Sequence, residues 1–286
     1  MTPRRSRAIP RPAFTLIELL AVLAIISLLT ALTVPAVNRV RAVGKRTQCK
    51  VEIDQFGLSL SAFGADHGGN MPVLTGGGPN GEFRLCTSYT DSAGNLLPWP
   101  EVDFLLATWP TMNRTDNGLR MNGSPVPQNA PLMLDPNQAA MVWLTGGIPC
   151  QFAGLSKSPR QPFAPPVVGD ERRRYLDPPS RALRDATGAG VIDGRFYDVY
   201  GNAIAVMTWS GQKGYVGACY GVQPYSTAFK GQLNRNGSQV ISAGPDGKFG
   251  TGGNYTPGTG NWGNGTAGAD DLANFRTMAL GAPDGD

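Results

Sequence analysis

The chain has 286 residues, of which only 16% are charged, while its 38 Gly and 24 Pro are abundant. That composition suits one large domain, or one domain with an appendage, made of short strands, turns and long surface loops, and it argues against an all-helical protein. The formal net charge is +4, but four of the 25 Lys+Arg (Arg4, Arg5, Arg7, Arg11) precede residue 14, leaving 21 against 21 Asp+Glu; the neutral remainder argues against a nucleic-acid binder.

Residues 1–13 form a short basic leader. From Phe14 to Val37 run 24 residues, mostly Leu, Ile, Val and Ala, interrupted by Thr15, Glu18, Ser27, Thr30 and Thr33. As a helix this stretch is roughly 36 Å long, enough to cross the hydrocarbon core of a bilayer. A conventional signal peptide places its small-residue cleavage site after the apolar run. Here the small residue, Ala13, comes before it, so cleavage at that point leaves the helix on the mature chain. Glu18 is a carboxylate at membrane depth, a placement that costs about 2.5–3.5 kcal/mol and marks function. Pro35 removes a backbone hydrogen bond and predicts a kink or loosening just upstream.

Beyond Pro35 the pattern becomes amphipathic. Cys49, Ile53, Phe56, Leu60 and Phe63 follow spacings of 4, 3, 4 and 3, which is one helical face. Arg39, Arg41, Lys45 and Arg46 precede that stripe and suit lipid headgroups or acidic neighbours. The helix should stop at "DHGGNMP", with Gly68 or Gly69 in the left-handed cap and Pro72 blocking continuation. Residues 14–66 then make one helix of about 80 Å. His67, the sole histidine, reads as a surface turn residue.

Residues 73–190 are irregular and proline-rich, with short helices expected around 101–108, 137–145 and 179–186. In "ERRRYLDPPSRALRD" the arginines alternate with Glu171, Asp177 and Asp185, which reads as a solvated face rather than a phosphate or partner site. From Arg195 onward, "RFYDVYGNAIAVMTWS", "KGYVGACYG" and "GSQVISAG" predict a small antiparallel sheet of three or four strands. A long helix on such a sheet is an α+β fold. The predicted boundaries are 1–13 leader, 14–37 transmembrane helix, 38–72 amphipathic half, 73–190 irregular insertion, and 191–286 β-rich head with a Gly/Asp-rich loop.

Cys49, Cys86, Cys150 and Cys219 are widely separated, and one histidine cannot complete a zinc set. An exported head could join Cys150 to Cys219; the alternative is four small buried thiols. With a single histidine and no nucleophile elbow or phosphate loop, no catalytic residues are expected and the chain reads as a non-enzyme.

The stretch "AFTLIELLAVLAIISLLTALTVPAV" resembles the N-termini of type IV pilins and of type II secretion pseudopilins. The resemblance implies that prepilin peptidase, a membrane aspartyl enzyme, cuts between Ala13 and Phe14 and methylates Phe14. Glu18 and Pro35 then stand at the family's fifth and twenty-second mature positions. The family usually has Gly where this chain has Ala13. It implies a pilin-like fold whose N-terminal helix is half transmembrane and half packed on the head. In a filament, Glu18 would meet the cationic amine of a neighbour's Phe14, and any axial slip would leave both charges unpaired among apolar helices. The implied partners are prepilin peptidase, further copies of the chain, other pilin-like subunits and an inner-membrane assembly platform, with no nucleic acid. The implied location is single-pass in the bacterial inner membrane with a periplasmic head, followed by a periplasmic filament.

Three further stretches carry the likeness. "QCKVEIDQFGLSLSAFGADHGGNMP" is similar to the family's second half-helix and its exit. "YDVYGNAI" resembles an Asp-x-Trp-Gly-Asn-Pro segment of the major pseudopilin, with Tyr200 in the Trp place and Ala203 in the Pro place. "ISAGPDGKFGTGGNYTPGTGNWGNGTAGADDLANF" is similar to its calcium loop and implies Asp246, Asp270 and Asp271 as ligands, with Ser242 beside them. A longer Gly/Asn/Thr insertion separates the acidic ends here. Read from residues alone, the same loop is a turn at Asp246-Gly247 and a helix cap at Asp270 or Asp271. The C-terminal loop makes a type II secretion subunit the leading expectation. A minor type IV pilin or surface adhesive subunit, and a membrane-anchored enzyme or solute-binding domain, stay open.

Overall fold

The computed structural model describes residues 16–146, 153–179, 193–210, 214–215, 217–228, 231–256 and 266–282. The chain divides into two compact units, residues 1–45 and 46–286. Helix α1 spans Leu16–Asp66 with Pro35 inside it. In the first unit every described residue is exposed, and an 18-residue window reaches a mean hydropathy of 2.5. By length and composition this helix is able to cross a membrane. Three of its polar interruptions are satisfied locally. Ser27, Thr30 and Thr33 each donate a hydroxyl hydrogen bond to the carbonyl four residues back, at 2.7, 2.8 and 2.9 Å.

In the second unit α1 buries Cys49, Ile53, Phe56, Leu60 and Phe63, the stripe anticipated from the spacing. Each such apolar side chain contributes about 1.5–3 kcal/mol when fully buried. The helix stops as expected: the amide of Gly69 bonds back to the Gly64 carbonyl at 2.8 Å, and Gly68 and Gly69 hold φ of 68° and 85°. A side chain would strain that conformation. His67 differs from the expected surface residue. It is half-buried, stacked on Phe63 with ring centroids 4.2 Å apart, and one ring nitrogen sits 2.8 Å from the Phe63 carbonyl.

The elements that follow are β1 (Phe83–Leu85), α2 (Pro100–Thr108), β2 (Arg120–Met121), β3 (Ser124–Pro125), β4 (Leu132–Leu134) and α3 (Pro136–Thr145). After them come β5 (Leu155–Ser156), β6 (Arg172–Arg173), β7 (Ala205–Thr208), β8 (Gln223–Thr227), β9 (Gly231–Gln232), β10 (Ser238–Ser242), β11 (Gly252–Asn254) and β12 (Leu272–Ala273). Helices α2 and α3 fall where expected; a third around 179–186 lies almost wholly outside the described residues. Local chemistry explains α3. Pro136 opens it, Asp135 accepts from the Asn137 and Gln138 amides at 3.0 Å each, and the Gln138 side chain accepts from the Asp135 amide at 3.1 Å. That reciprocal box contributes about 1 kcal/mol, and Gly146 at φ 65° ends the helix.

Residues 83–176 belong to the same core as the stripe of α1 and strands β7 and β10. Trp143 is the hub: fully buried, with Phe83, Phe104, Trp109 and Phe163 at centroid distances of 5.2 to 5.9 Å. Its indole N–H donates to the Val73 carbonyl at 3.1 Å. A buried ion pair joins β1 to α2. Arg84 Nε and Nη2 donate to the two carboxylate oxygens of Glu101 at 2.9 and 3.0 Å, the Gly77 amide adds a third bond at 2.9 Å, and the Arg84 guanidinium lies 4.2 Å from the centre of the Trp99 ring.

Strands β12-β10-β7 form an antiparallel three-stranded sheet, with Ile241 opposite Ala273 and Val240 opposite Val206. A second sheet, β11-β8-β9, contains a parallel pair, β8 with β11, which the antiparallel expectation did not include. Between those two strands the chain leaves to make β9 and β10, and it returns in the same direction. The buried Gln239 side chain joins the sheets, donating to the Tyr225 and Leu233 carbonyls at 2.9 Å each and accepting from the Tyr225 amide at 2.7 Å. The architecture is α+β: one long N-terminal helix with small, mainly antiparallel sheets and long loops. Cys49, Cys86 and Cys219 are buried thiols; Cys150, and with it the Cys150–Cys219 pairing, lies outside the described residues.

Candidate functional site

Two regions carry the expected functional residues. In the first, Glu18 occupies the first turn of α1, exposed among Leu16, Ile17, Leu19 and Leu20. The positive end of the helix dipole favours a carboxylate there, although its immediate neighbours are all apolar. Ala13 and Phe14 lie outside the described residues, and Pro35 lies within the exposed part of α1.

The second region is the C-terminal loop, which is clamped at both ends. On one side Ser242, fully buried at the end of β10, donates to Asp198 Oδ2 at 2.5 Å and accepts from the Gly244 amide at 3.1 Å. Asp198 is itself buried, and its Oδ1 accepts from the Tyr200 and Asn202 amides at 2.9 Å each. Asn202 completes the clamp, donating to the Gly244 carbonyl at 2.8 Å. The turn inside "YDVYGNAI" thus holds the beginning of the loop, and its ends meet in a bridge between Tyr197 and Ala203.

On the other side the acids receive backbone amides. Asp246 N–H donates to Asp270 Oδ2 at 3.1 Å, and Gly250 N–H donates to Asp271 Oδ2 at 3.0 Å. Asp271 is fully buried, and its Oδ1 has no hydrogen-bond partner. Burial lifts its pKa to about 7; the charges of Asp270 and Asp246 push the same way, and the Gly250 amide opposes them. The fold therefore brings Asp246, Asp270 and Asp271 to one loop closure across 25 residues of sequence. They meet through backbone amides: among the described residues no three His, Cys, Asp or Glu side chains gather as a metal-holding group. Ser242 faces Asp198 instead of the acids. Hard oxygens, one of them buried and orphaned, are the donor type a hard cation takes, but the three carboxylates do not gather as a ligand set here. Asp198 was missed as a site residue; its signal was an Asp placed to cap the Tyr200-Gly201-Asn202 turn.

The arginine-rich stretch is structural where it is described. Arg172, Arg173 and Arg174 pair with Asp170, Asp66 and Asp177, and Arg172 also donates to the Gly154 and Ala164 carbonyls at 2.8 Å each. A solvated, ion-paired face accounts for it without a ligand.

An α+β head thus follows a helix long and apolar enough to cross a membrane, with an acid in its first turn. Residues 11–34 match the family described as the prokaryotic N-terminal methylation motif. That match covers the N-terminal segment alone and is consistent with the N-terminus of a type IV pilin-like prepilin-peptidase substrate. No curated protein and no solved structure matches it.

Proposed function

We propose that the chain is a structural, non-enzymatic subunit of a type II secretion pseudopilus, cut between Ala13 and Phe14 and assembled through α1 for protein export. The observation that carries this reading is the match of residues 11–34 to the methylation motif, with Glu18 in the first turn of an apolar helix. The helix would first hold the subunit in the inner membrane with the head in the periplasm. It would then bundle with other copies and pilin-like subunits on the assembly platform. Glu18 would pair with the methylated amine of a neighbour's Phe14, and that pair would set the axial register, because a slip leaves two charges unpaired.

The likeness of the C-terminal loop to that of major pseudopilins supports the export role. Asp246, Asp270 and Asp271 would hold a calcium ion once drawn together around it, and the ion would satisfy the orphaned Asp271 oxygen. Two measurements test the proposal. Mass spectrometry of the mature chain should begin at methyl-Phe14; an intact 1–13 leader sinks it. Glu18→Gln should insert in the membrane but abolish filaments; normal filaments refute the register role. A minor type IV pilin or adhesive subunit shares the N-terminal chemistry, and the surface groove described below favours that second reading.

A further inference from the structure

Most described arginines of the head have a protein partner, with the exposed Arg46 and Arg235 and the pair Arg114 and Arg160 making no ion pair among the described residues. Arg84, Arg120, Arg172, Arg173, Arg174 and Arg195 each reach a carboxylate, and Arg276 is held by the Leu280 and Ala282 carbonyls. Arg114 and Arg160 both line a single open groove of about 660 Å³ together with Thr111, Asn113, Ser158 and Gln161. No carboxylate lines it.

The two arginines are held near one another by the backbone. The Asn113 amide donates to the Arg160 carbonyl at 2.9 Å, so the segments that carry the guanidiniums run side by side. The Arg114 carbonyl accepts the Tyr89 amide at 2.8 Å, which ties that segment to the core. The Asn113 side chain fixes the next turn, accepting from the Thr115 amide and hydroxyl at 3.1 and 2.8 Å. The adjacent acid, Asp116, is engaged by Arg120 at 2.9 and 2.7 Å and does not line the groove. The result is an exposed trough with two cations, a lining mainly of hydroxyls and amides together with Met112, and no acid.

We infer that this groove binds an acidic polysaccharide, with Arg114 and Arg160 taking its carboxylates and the hydroxyl and amide side chains taking the sugar hydroxyls. Guanidinium matches a carboxylate with two parallel hydrogen bonds, and uncharged amides and hydroxyls match the mixed donors and acceptors of a sugar. A lone small anion would need fewer neutral partners. Nucleic acid would call for bases to be stacked, and no aromatic side chain lines the groove.

The test uses the full chain in uncharged detergent and a fluorescent polyuronate oligosaccharide as the probe, read by anisotropy. Binding should be detectable at low salt, weaken steeply as NaCl is raised, and be absent for neutral dextran of the same length. The double change R114Q/R160Q should weaken binding by about tenfold or more, the loss expected for two charge-assisted contacts. R235Q, on an exposed arginine outside the groove, should leave it unchanged, and all variants should keep the wild-type thermal midpoint. Equal binding by R114Q/R160Q overturns the inference, as does an equal loss in R235Q. Retention on phosphatidylglycerol vesicles that depends on the arginine pair, without polyuronate binding, also overturns it, by assigning the groove to a lipid surface.

Discussion

The Glu101–Arg84 pair gives the sharpest test of how the head is held together. Glu101 is fully buried and accepts four hydrogen bonds: two from the Arg84 side chain, one from the Gly77 amide and one from the Arg84 amide at 3.2 Å. Glu101→Ala would leave a largely buried guanidinium without its counter-charge and two amides without an acceptor. Breaking a buried pair from one side costs about 3–5 kcal/mol. Glu101→Gln keeps one acceptor oxygen and should cost about 2 kcal/mol, the value of charge assistance. For a unit of this size each kcal/mol lowers the thermal midpoint by about 2–4 °C. Glu101→Ala should therefore drop it by about 6–20 °C, and Glu101→Gln by about half as much.

Tryptophan fluorescence during thermal unfolding is a suitable assay, since Trp99 lies against the Arg84 guanidinium. The double change E101L/R84M removes both charges and should cost less than Glu101→Ala alone. The pH dependence follows. Burial raises the Glu101 pKa, but the bonds from Arg84 and the nearby amides outweigh it and hold the carboxyl below its ordinary 4.5. A lowered folded-state pKa contributes stability above the unfolded value, and that stability is lost as pH falls through the folded one. The gap between wild type and Glu101→Gln should thus be full at pH 7 and close progressively below about pH 4.5. A midpoint for Glu101→Ala within ~1 °C of wild type, or single changes that simply add in the double, would refute the reasoning.

Other outcomes follow from the same structure. Asp198→Asn should free the start of the C-terminal loop, so hydrogen exchange at the Gly244, Tyr200 and Asn202 amides should rise even in chelator; unchanged protection would show that the clamp is not holding the loop. Chelation should lower the thermal midpoint of the wild-type chain and have no effect on Asp271→Asn; a wild type indifferent to chelator would remove calcium from the proposal. Burial pushes the Cys86 and Cys219 thiols up to about 12, so iodoacetamide at pH 8 should leave both unmodified until the head unfolds, as peptide mass spectrometry would read. Rapid native alkylation of either would contradict their burial. Phe56→Ala, removing a fully buried ring that meets Phe196 edge-on at 5.3 Å, should cost about 3–5 kcal/mol and loosen α1 from the head.

What could be read in advance depended on how local its cause was. The stripe Cys49-Ile53-Phe56-Leu60-Phe63 is a repeat along one helix, and the Gly68-Gly69 stop and the two short helices are set by residues within a few positions of themselves. The partners of Trp143 are not: Phe83 lies 60 residues before it and Phe163 lies 20 after it, across prolines that carry no periodic signal. That is why residues 73–190 read as an irregular insertion, although their aromatics lie in the same core as α1. His67 looked like a turn residue because Trp109, 42 residues on, becomes its neighbour only once the chain is folded; its stack on Phe63, one helical turn back, is a local contact that the spacing already allowed. At the C-terminal loop the acids were legible by likeness. The Asp198–Ser242 bond, between a turn and a strand end 44 residues apart, was not.

The hydroxyls of Ser27, Thr30 and Thr33 have a consequence for movement. Each is bonded to its own helix, so those groups ask nothing of the medium around them. Lipid tails and the leucine side chains of a neighbouring helix are then nearly equivalent surroundings for this face. The helix could leave one for the other without breaking and remaking those bonds. In the proposed assembly the carboxylate of Glu18 would tell the two environments apart and give that exchange a direction at one end.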